Sequence, residues 1–401
     1  MAVPLHELGR DLDRNELINV ASALIAMPTF DKGERTAIGH AQEFLERRGV
    51  TTRLLSRDPS RPNLVATIGT GRPIVALNGH VDTVPIGDRA GWETDPLTPT
   101  LKGERLYGLG AIDMKAPLAV LLMVAAAMQR VADRMRGAIQ LQITVDEETT
   151  GYDGSIFLIE QIRQGGLDRP DFVISGERTD LTVSNAERGG FKFEVEFMGR
   201  AAHTADARTK GINPILHAAR GIAALERPLD EFHPNAGYGI ISVNVVRGGD
   251  FISQVPDRCL IQVDRRMVPG QTNVSALAQA EADLREALKD VPNAKYEIRS
   301  LRDKRGRERY YAPNLTDWHS RVVQSVVKAH EAVTGKAAQP CVGAFGATDG
   351  RLFRYEGIET VVYGPSGEGA HGANEYVDVD SLVTQFNVLT AALADLLSVR
   401  P

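Results

Sequence analysis

Residues 77–88 read LNGHVDTVPIGD. The apolar run from Ile74 to Leu77 leads into them, and Pro85 and Gly87 follow. The run has the character of a buried strand, the sequel that of a loop. Side chains two apart on extended backbone point the same way. His80 and Asp82 are therefore expected on one side, where a strand ends. A metal-bound histidine needs a partner that fixes its tautomer, and a nearby carboxylate is a common one. Taken by itself, the stretch fits a surface histidine beside a turn-forming aspartate equally well.

Outward from this point, strands are expected at 63–68, 74–78, 138–145 and 172–175. Helical periodicity covers 16–27 and 34–48, the second closed by Gly49. The Ala-, Leu- and Met-rich stretch 115–131 reads as a well-buried helix. Strands alternating with helices predict an α/β domain, with a mostly parallel central sheet and helices on both faces. The pattern changes at FKFEVEFMG, residues 191–199. Phe191, Phe193, Val195 and Phe197 share one face, and Lys192, Glu194 and Glu196 the other, as in a half-exposed strand. A helix at 213–225, strands at 238–246 and 259–265, a helix at 275–289 and a strand at 295–300 follow. This βαββαβ order predicts a ferredoxin-like domain, 186–300, inserted between 1–185 and 301–401. A helix at 316–333, a strand at 359–363 and a helix at 380–397 return the chain to the larger domain.

The chain has 401 residues, enough for about two domains. A formal net charge of -6 gives no electrostatic footprint for nucleic acid. The basic stretch 302–307 is interrupted by Asp303 and reads as a solvated loop. Cys259 and Cys341 are the only cysteines, which suits a reducing compartment. No apolar segment of signal-peptide type opens the chain, and the run 117–128 is too short to span a bilayer. A cytoplasmic protein without membrane partners is expected.

Other short stretches share the geometry of the first. GLGAIDMK puts Asp113 between a glycine-rich turn and a helix, and ITVDEETTG puts Asp146, Glu147 and Glu148 where a strand ends. VISGERT puts Glu177 past another strand, and His371 sits in the glycine-rich GPSGEGAHGANEY. Singly these are weak signals. Asp113 could cap a helix, Glu147 and Glu148 could be a solvated pair, and Glu177 and His371 could be plain loop residues. Open α/β sheets, however, bind ligands outside the carboxyl ends of their strands. Mixed histidine and carboxylate ligands gathered there suit zinc or a similar divalent ion. One aspartate can bridge a pair of ions, and ions about 3.5–4 Å apart activate a water between them.

Taken in order, GHVDTVP, GLGAIDMK, DEE, SGE, GRAAHT and GAHGANE resemble the dinuclear-metal peptidase and deacylase family. That family includes acetylornithine deacetylase, succinyl-diaminopimelate desuccinylase, glutamate carboxypeptidase and aminoacylase. The resemblance runs from about residue 15 to 395. It implies a hydrolase of N-acyl amino acids, or alternatively a dipeptidase or carboxypeptidase, or an inactive binding protein of the same fold. It implies two divalent ions per subunit, zinc first, with cobalt or manganese as substitutes. His80 and His371 would each hold one ion and Asp113 would bridge them. Glu177 would complete the His80 site and Glu148 the His371 site. Asp82 would orient His80, and Glu147 would be the general base. In the inserted domain, a lid that forms a homodimer in relatives, His203 would stabilise the tetrahedral intermediate, in trans if supplied by the partner subunit. Asn244 would face the substrate and Arg266 would hold its carboxylate, with Thr348 and Asp349 on the substrate side. Three departures surround the pocket: Ala116-Pro117 after DMK, Ser253 in ISQVPDRC, and HTADARTKG without the usual serine and proline. They leave the substrate the least determined feature.

Overall fold

The computed structural model describes residues 12–303, 306–342 and 346–399. Lys304 and Arg305 of the basic stretch lie outside the described residues, as does most of the N-terminal segment read above. The chain forms two compact units, one of residues 1–185, 316–341 and 347–401, the other of residues 186–315 and 342–346.

The first unit opens with α1 (Arg14–Ile25) and α2 (Glu34–Glu46), then β1 (Thr51–Leu55), β2 (Asn63–Thr70) and β3 (Ile74–His80). Next come α3 (Ala116–Gln129), β4 (Gly137–Thr144), α4 (Ser155–Arg163) and β5 (Phe172–Ser175). In the second unit lie β6 (Gly189–Met198), α5 (Pro214–Leu225), β7 (Ile240–Arg247), β8 (Arg258–Met267), α6 (Asn273–Leu288) and β9 (Lys295–Ser300). The chain returns through α7 (Arg321–Thr334), α8 (Gly350–Tyr355), β10 (Glu359–Val362) and α9 (Val379–Leu396).

The central sheet has the order β1-β2-β4-β3-β5-β10. The three pairs made by β3, β4, β5 and β10 are parallel. The β1–β2 and β2–β4 pairs are antiparallel, so the sheet is mixed. β3 and β4 are buried along their whole length, which explains their continuous apolar reading. β1 was not expected from the sequence: TTRLL is an edge strand, exposed or half-exposed throughout, and carries no apolar run. The apolar run 117–128 lies in α3, whose residues from Ala116 to Met128 are all buried, so α3 serves as a core helix.

In the second unit, β7-β8-β6-β9 form an antiparallel sheet. Phe191, Phe193, Val195 and Phe197 are buried with Ala218 and Leu225 of α5 and Ala280 and Leu284 of α6. The unit extends past the expected boundary at residue 300. Tyr310 and Tyr311 pair with Phe191 and Gly190, and Asn314 and Leu315 pair with Glu187 and Ala186. The first pair adds to the antiparallel sheet at β6, and the second forms a separate two-stranded sheet.

Candidate metal centre

The parallel strands place their carboxyl ends, and the loops after them, at one rim. His80 is the last residue of β3, and Val81 donates its N–H to the carbonyl of Thr144 at the end of β4, 3.0 Å away. Glu147 and Glu148 follow β4, and Glu177 follows β5. Asp113 lies in the irregular segment before α3, with φ −126° and ψ 91°. The helix starts only at Ala116, so Asp113 is not its cap. His371 adopts a left-handed φ of 62° between the short strands 367–368 and 376–378.

His80 is 1% exposed. Its Nδ1 lies 3.0 Å from the backbone carbonyl of Asp82, an acceptor only, so Nδ1 carries the proton. Its Nε2 is the ring atom that faces the cluster, buried and without a hydrogen-bond partner among the described residues. Facing it are Asp113 Oδ1 at 3.3 Å and Glu177 Oε1 at 3.2 Å. The other oxygen of Asp113, Oδ2, lies 3.4 Å from His371 Nε2, which is 2.9 Å from Glu148 Oε2. Asp113 therefore turns one oxygen to each histidine. With the histidines neutral, their lone pairs and several carboxylate oxygens aimed at common points repel one another unless a cation lies between them, and this donor set suits a divalent metal ion. Ligand atoms of His80, Glu147 and Glu177, and likewise of His80, Asp113 and Glu148, all come within 4.8 Å of one another. Glu147 thus belongs to the same cluster.

The electrostatics follow from burial and crowding. Burial alone would lower His80, but Glu177 and Asp113 outweigh it and raise its pKa well above the usual histidine range. Hydrogen bonding to Asp113 and Glu148 pushes His371 up to about 10. Burial, then the charge of Asp113, pushes Glu177 up to about 7. Burial raises Glu147 well above the ordinary carboxylate range. Asp113 is driven the other way: its two histidines overcome burial and hold it low.

Asp82 differs in detail from its expected role. Its carbonyl makes the 3.0 Å contact with His80, while its carboxylate Oδ1 stands 3.4 Å from the ring. The carboxylate accepts the backbone N–H groups of Glu147 and Glu148 at 3.2 and 3.1 Å. Asp349 is 3% exposed and accepts from Ser155 Oγ at 2.5 Å and Thr144 Oγ1 at 3.3 Å. It is thus packed inside the first unit and does not present an open binding surface. Thr348 Oγ1 accepts the N–H of Gly350 at 3.1 Å, at the start of α8.

The second unit carries the other expected residues. Arg266 pairs with both oxygens of Asp264, at 3.0 and 3.2 Å, and donates to Tyr311 Oη at 2.5 Å. Asn244 sits at a break in register between β7 and β8, a bulge that leaves it exposed. Arg188, Ser242, Asn244, Asp264 and Arg266 line a cavity of about 350 Å³. His203 is exposed, and its Nδ1 accepts the N–H of Ala205 at 3.1 Å, which leaves Nε2 as the donor.

Asp146, expected only as a strand-end acid, has φ 67° and accepts from Thr150 Oγ1 at 2.7 Å and Asp153 N–H at 3.2 Å, and so shapes the loop carrying Glu147. Two further residues were not singled out in the sequence. Lys115 is fully buried, donates to the carbonyl of Met27 at 2.6 Å, and is lowered by burial to about 7. Glu375 is buried and accepts three backbone N–H groups from residues 110–113. Its position in GAHGANE was the available signal, since a glutamate is rarely buried without partners.

The sequence profile of peptidase family M20/M25/M40 matches residues 76–395. An acetylornithine deacetylase of Myxococcus xanthus is 32% identical over 366 residues, 88% of this chain and 86% of that protein. A succinyl-diaminopimelate desuccinylase of Bordetella pertussis is 27% identical over 391 residues, 95% of this chain and 98% of that protein. The YXEP protein of Bacillus subtilis, described as a dinuclear metal binding peptidase from the M20 family, shares the fold with a TM-score of 0.71 at 16% identity, covering 96% of this chain and 99% of its own. With its ordered motifs, its mixed sheet and a profile match over most of its length, this chain belongs to peptidase family M20/M25/M40.

Proposed function

We propose that this chain is a metal-dependent amidohydrolase that releases the acyl group from an N-acyl amino acid. The observation that carries the reading is Asp113, with one oxygen toward His80 and the other toward His371. The relatives named for deacetylase and desuccinylase activity support the substrate class. His80, Asp113 and Glu177 would hold one divalent ion, and His371, Asp113 and Glu148 a second, zinc being the metal of choice, with cobalt or manganese as substitutes. Bound there, such ions polarise an amide carbonyl and acidify water.

The chain's own groups do the rest. Glu147 takes a proton from the attacking water and gives it to the leaving nitrogen, a role its place in the cluster with His80 and Glu177 supports. His203 donates from Nε2 to the developing oxyanion. Arg266 offers a guanidinium fork to the substrate carboxylate, with Asn244 beside it in the same cavity. Thr348 and Asp349 act from behind, through the turn before α8 and through Thr144 and Ser155. The second unit is a ferredoxin-like lid through which two subunits form a homodimer. Ile240 and Val246, exposed along β7 at the end of its sheet, support this. The low cysteine content supports a cytoplasmic setting.

The test is a panel of N-acetyl, N-succinyl, N-formyl and N-carbamoyl amino acids together with dipeptides, assayed with zinc, cobalt and manganese. Preferred turnover of one N-acyl class supports the reading. Preferred turnover of dipeptides would assign a dipeptidase or carboxypeptidase to the same groups. No turnover by fully loaded protein would leave a binding protein of this fold.

A further inference from the structure

Glu375 lies four residues beyond His371 and is 1% exposed. Both its carboxylate oxygens are committed to one distant segment. Oε2 accepts the N–H of Gly110 at 2.7 Å, and Oε1 accepts those of Ile112 and Asp113 at 2.9 and 3.0 Å. Its backbone carbonyl accepts the N–H of Gly108 at 3.0 Å. This segment is not a regular helix. Gly110 has φ 77°, and Asp113 and Met114 are non-helical. Residues in such a run lack the regular ladder of backbone bonds, so their N–H groups need acceptors from elsewhere. A single carboxylate serves three of them, one oxygen taking two N–H groups and the other the third.

The other end of the connection is also fixed. The side chain of Asn374 accepts the N–H of Glu93 at 2.7 Å and donates to the carbonyl of Gly91 at 3.1 Å. The loop carrying His371 is thereby anchored one residue before Glu375. Glu375 joins that loop directly to the backbone of Asp113.

We propose that Glu375 is a positioning residue that holds Asp113 in register with His371, so that the aspartate can serve both histidines at once. The inference rests on the reading of this cluster as a metal centre. An apolar residue could fill the same volume, but it would leave three buried N–H groups without acceptors. Glutamine could satisfy only part of them, because its amide nitrogen would face a donor.

The test compares metal-free wild type, Glu375→Gln and Glu375→Asp. Zinc is titrated calorimetrically, bound metal is counted after dialysis, and thermal unfolding is recorded without metal. Glu375→Gln is expected to weaken binding of at least one ion by about 10–100-fold, the range for residues that orient ligands. Glu375→Asp keeps the carboxyl group but loses reach, and is expected to fall between the two. It also serves as the informative variant if Glu375→Gln does not fold. Wild-type zinc affinity and stoichiometry in the folded variants, with at most a lower melting temperature, would reduce Glu375 to a packing role and overturn the proposal. A wild-type protein that binds no zinc would instead overturn the metal centre itself.

Discussion

The carboxylate of Asp82 accepts the backbone N–H of Glu147 through Oδ1 at 3.2 Å and that of Glu148 through Oδ2 at 3.1 Å. One residue thus fixes the direction in which two neighbouring glutamates leave the end of β4, while its carbonyl holds His80. Asp82→Asn keeps the volume but puts an NH₂ where one N–H must find an acceptor. Turnover is expected to fall about 10–100-fold, with a smaller loss of bound metal. Metal analysis beside steady-state kinetics checks this; full activity would mean that the loop holds its shape unaided.

Asp113→Ala should remove more metal than Asp82→Ala. Asp113 offers an oxygen to each histidine, whereas Asp82 touches only one of them. Counting bound ions after dialysis decides it, and two tightly held ions in Asp113→Ala would rule out the bridge.

Glu147→Gln is expected to keep both the fold and the metal and to lose about 10²–10⁴-fold in turnover, the usual cost of a missing general base. Near-wild-type rates across the pH range, at unchanged metal content, would remove Glu147 from the mechanism.

Arg266→Ala should raise KM for substrates with a free carboxylate far more than for their amides or esters, because a planar fork matches a carboxylate. Arg266 also binds Asp264 and Tyr311. An equal loss on both substrate kinds would assign it to holding those two alone.

Metal loading should release protons. In the metal-free protein His371 is pushed up to about 10 and is protonated at neutral pH. A metal must displace that proton, so affinity should rise with pH up to that region. The same shift has a sign for stability without metal. The folded pKa exceeds the unfolded one, so the contribution is complete below about 6.5 and fades as pH rises through about 10. Calorimetry in buffers of different ionisation enthalpy measures the release, and no buffer dependence would contradict it.

Much of the site was legible because its residues sit at strand ends, where an apolar run stops abruptly. His80 after Ile74 to Leu77 and Glu147 after β4 are marked in this way. The three carboxylates that hold the loops were not legible as such. Asp82, Asp146 and Glu375 act on backbone N–H groups, and a backbone donor leaves no trace in residue identity. The edge strand β1 and the extension of the second unit to Leu315 escaped for a related reason. Both depend on pairing with a distant strand rather than on local pattern.

Periodicity and residue chemistry were enough to determine an α/β unit interrupted by a βαββαβ insertion, and to nominate the residues that gather at its rim. Those properties are local: a period of two or 3.6 and a histidine or carboxylate at a strand end can be read along the chain. Folding decided which oxygen of Asp113 meets which histidine, that the carboxylate of Asp82 turns to the amides of Glu147 and Glu148, and that Asp349 is buried against Ser155 and Thr144. These depend on distances of about 3 Å between residues tens to hundreds of positions apart, and hydrogen bonds lose strength steeply outside that range. Sequence spacing carries no such information; it exists only once the strands have paired and the loops have closed over their ends.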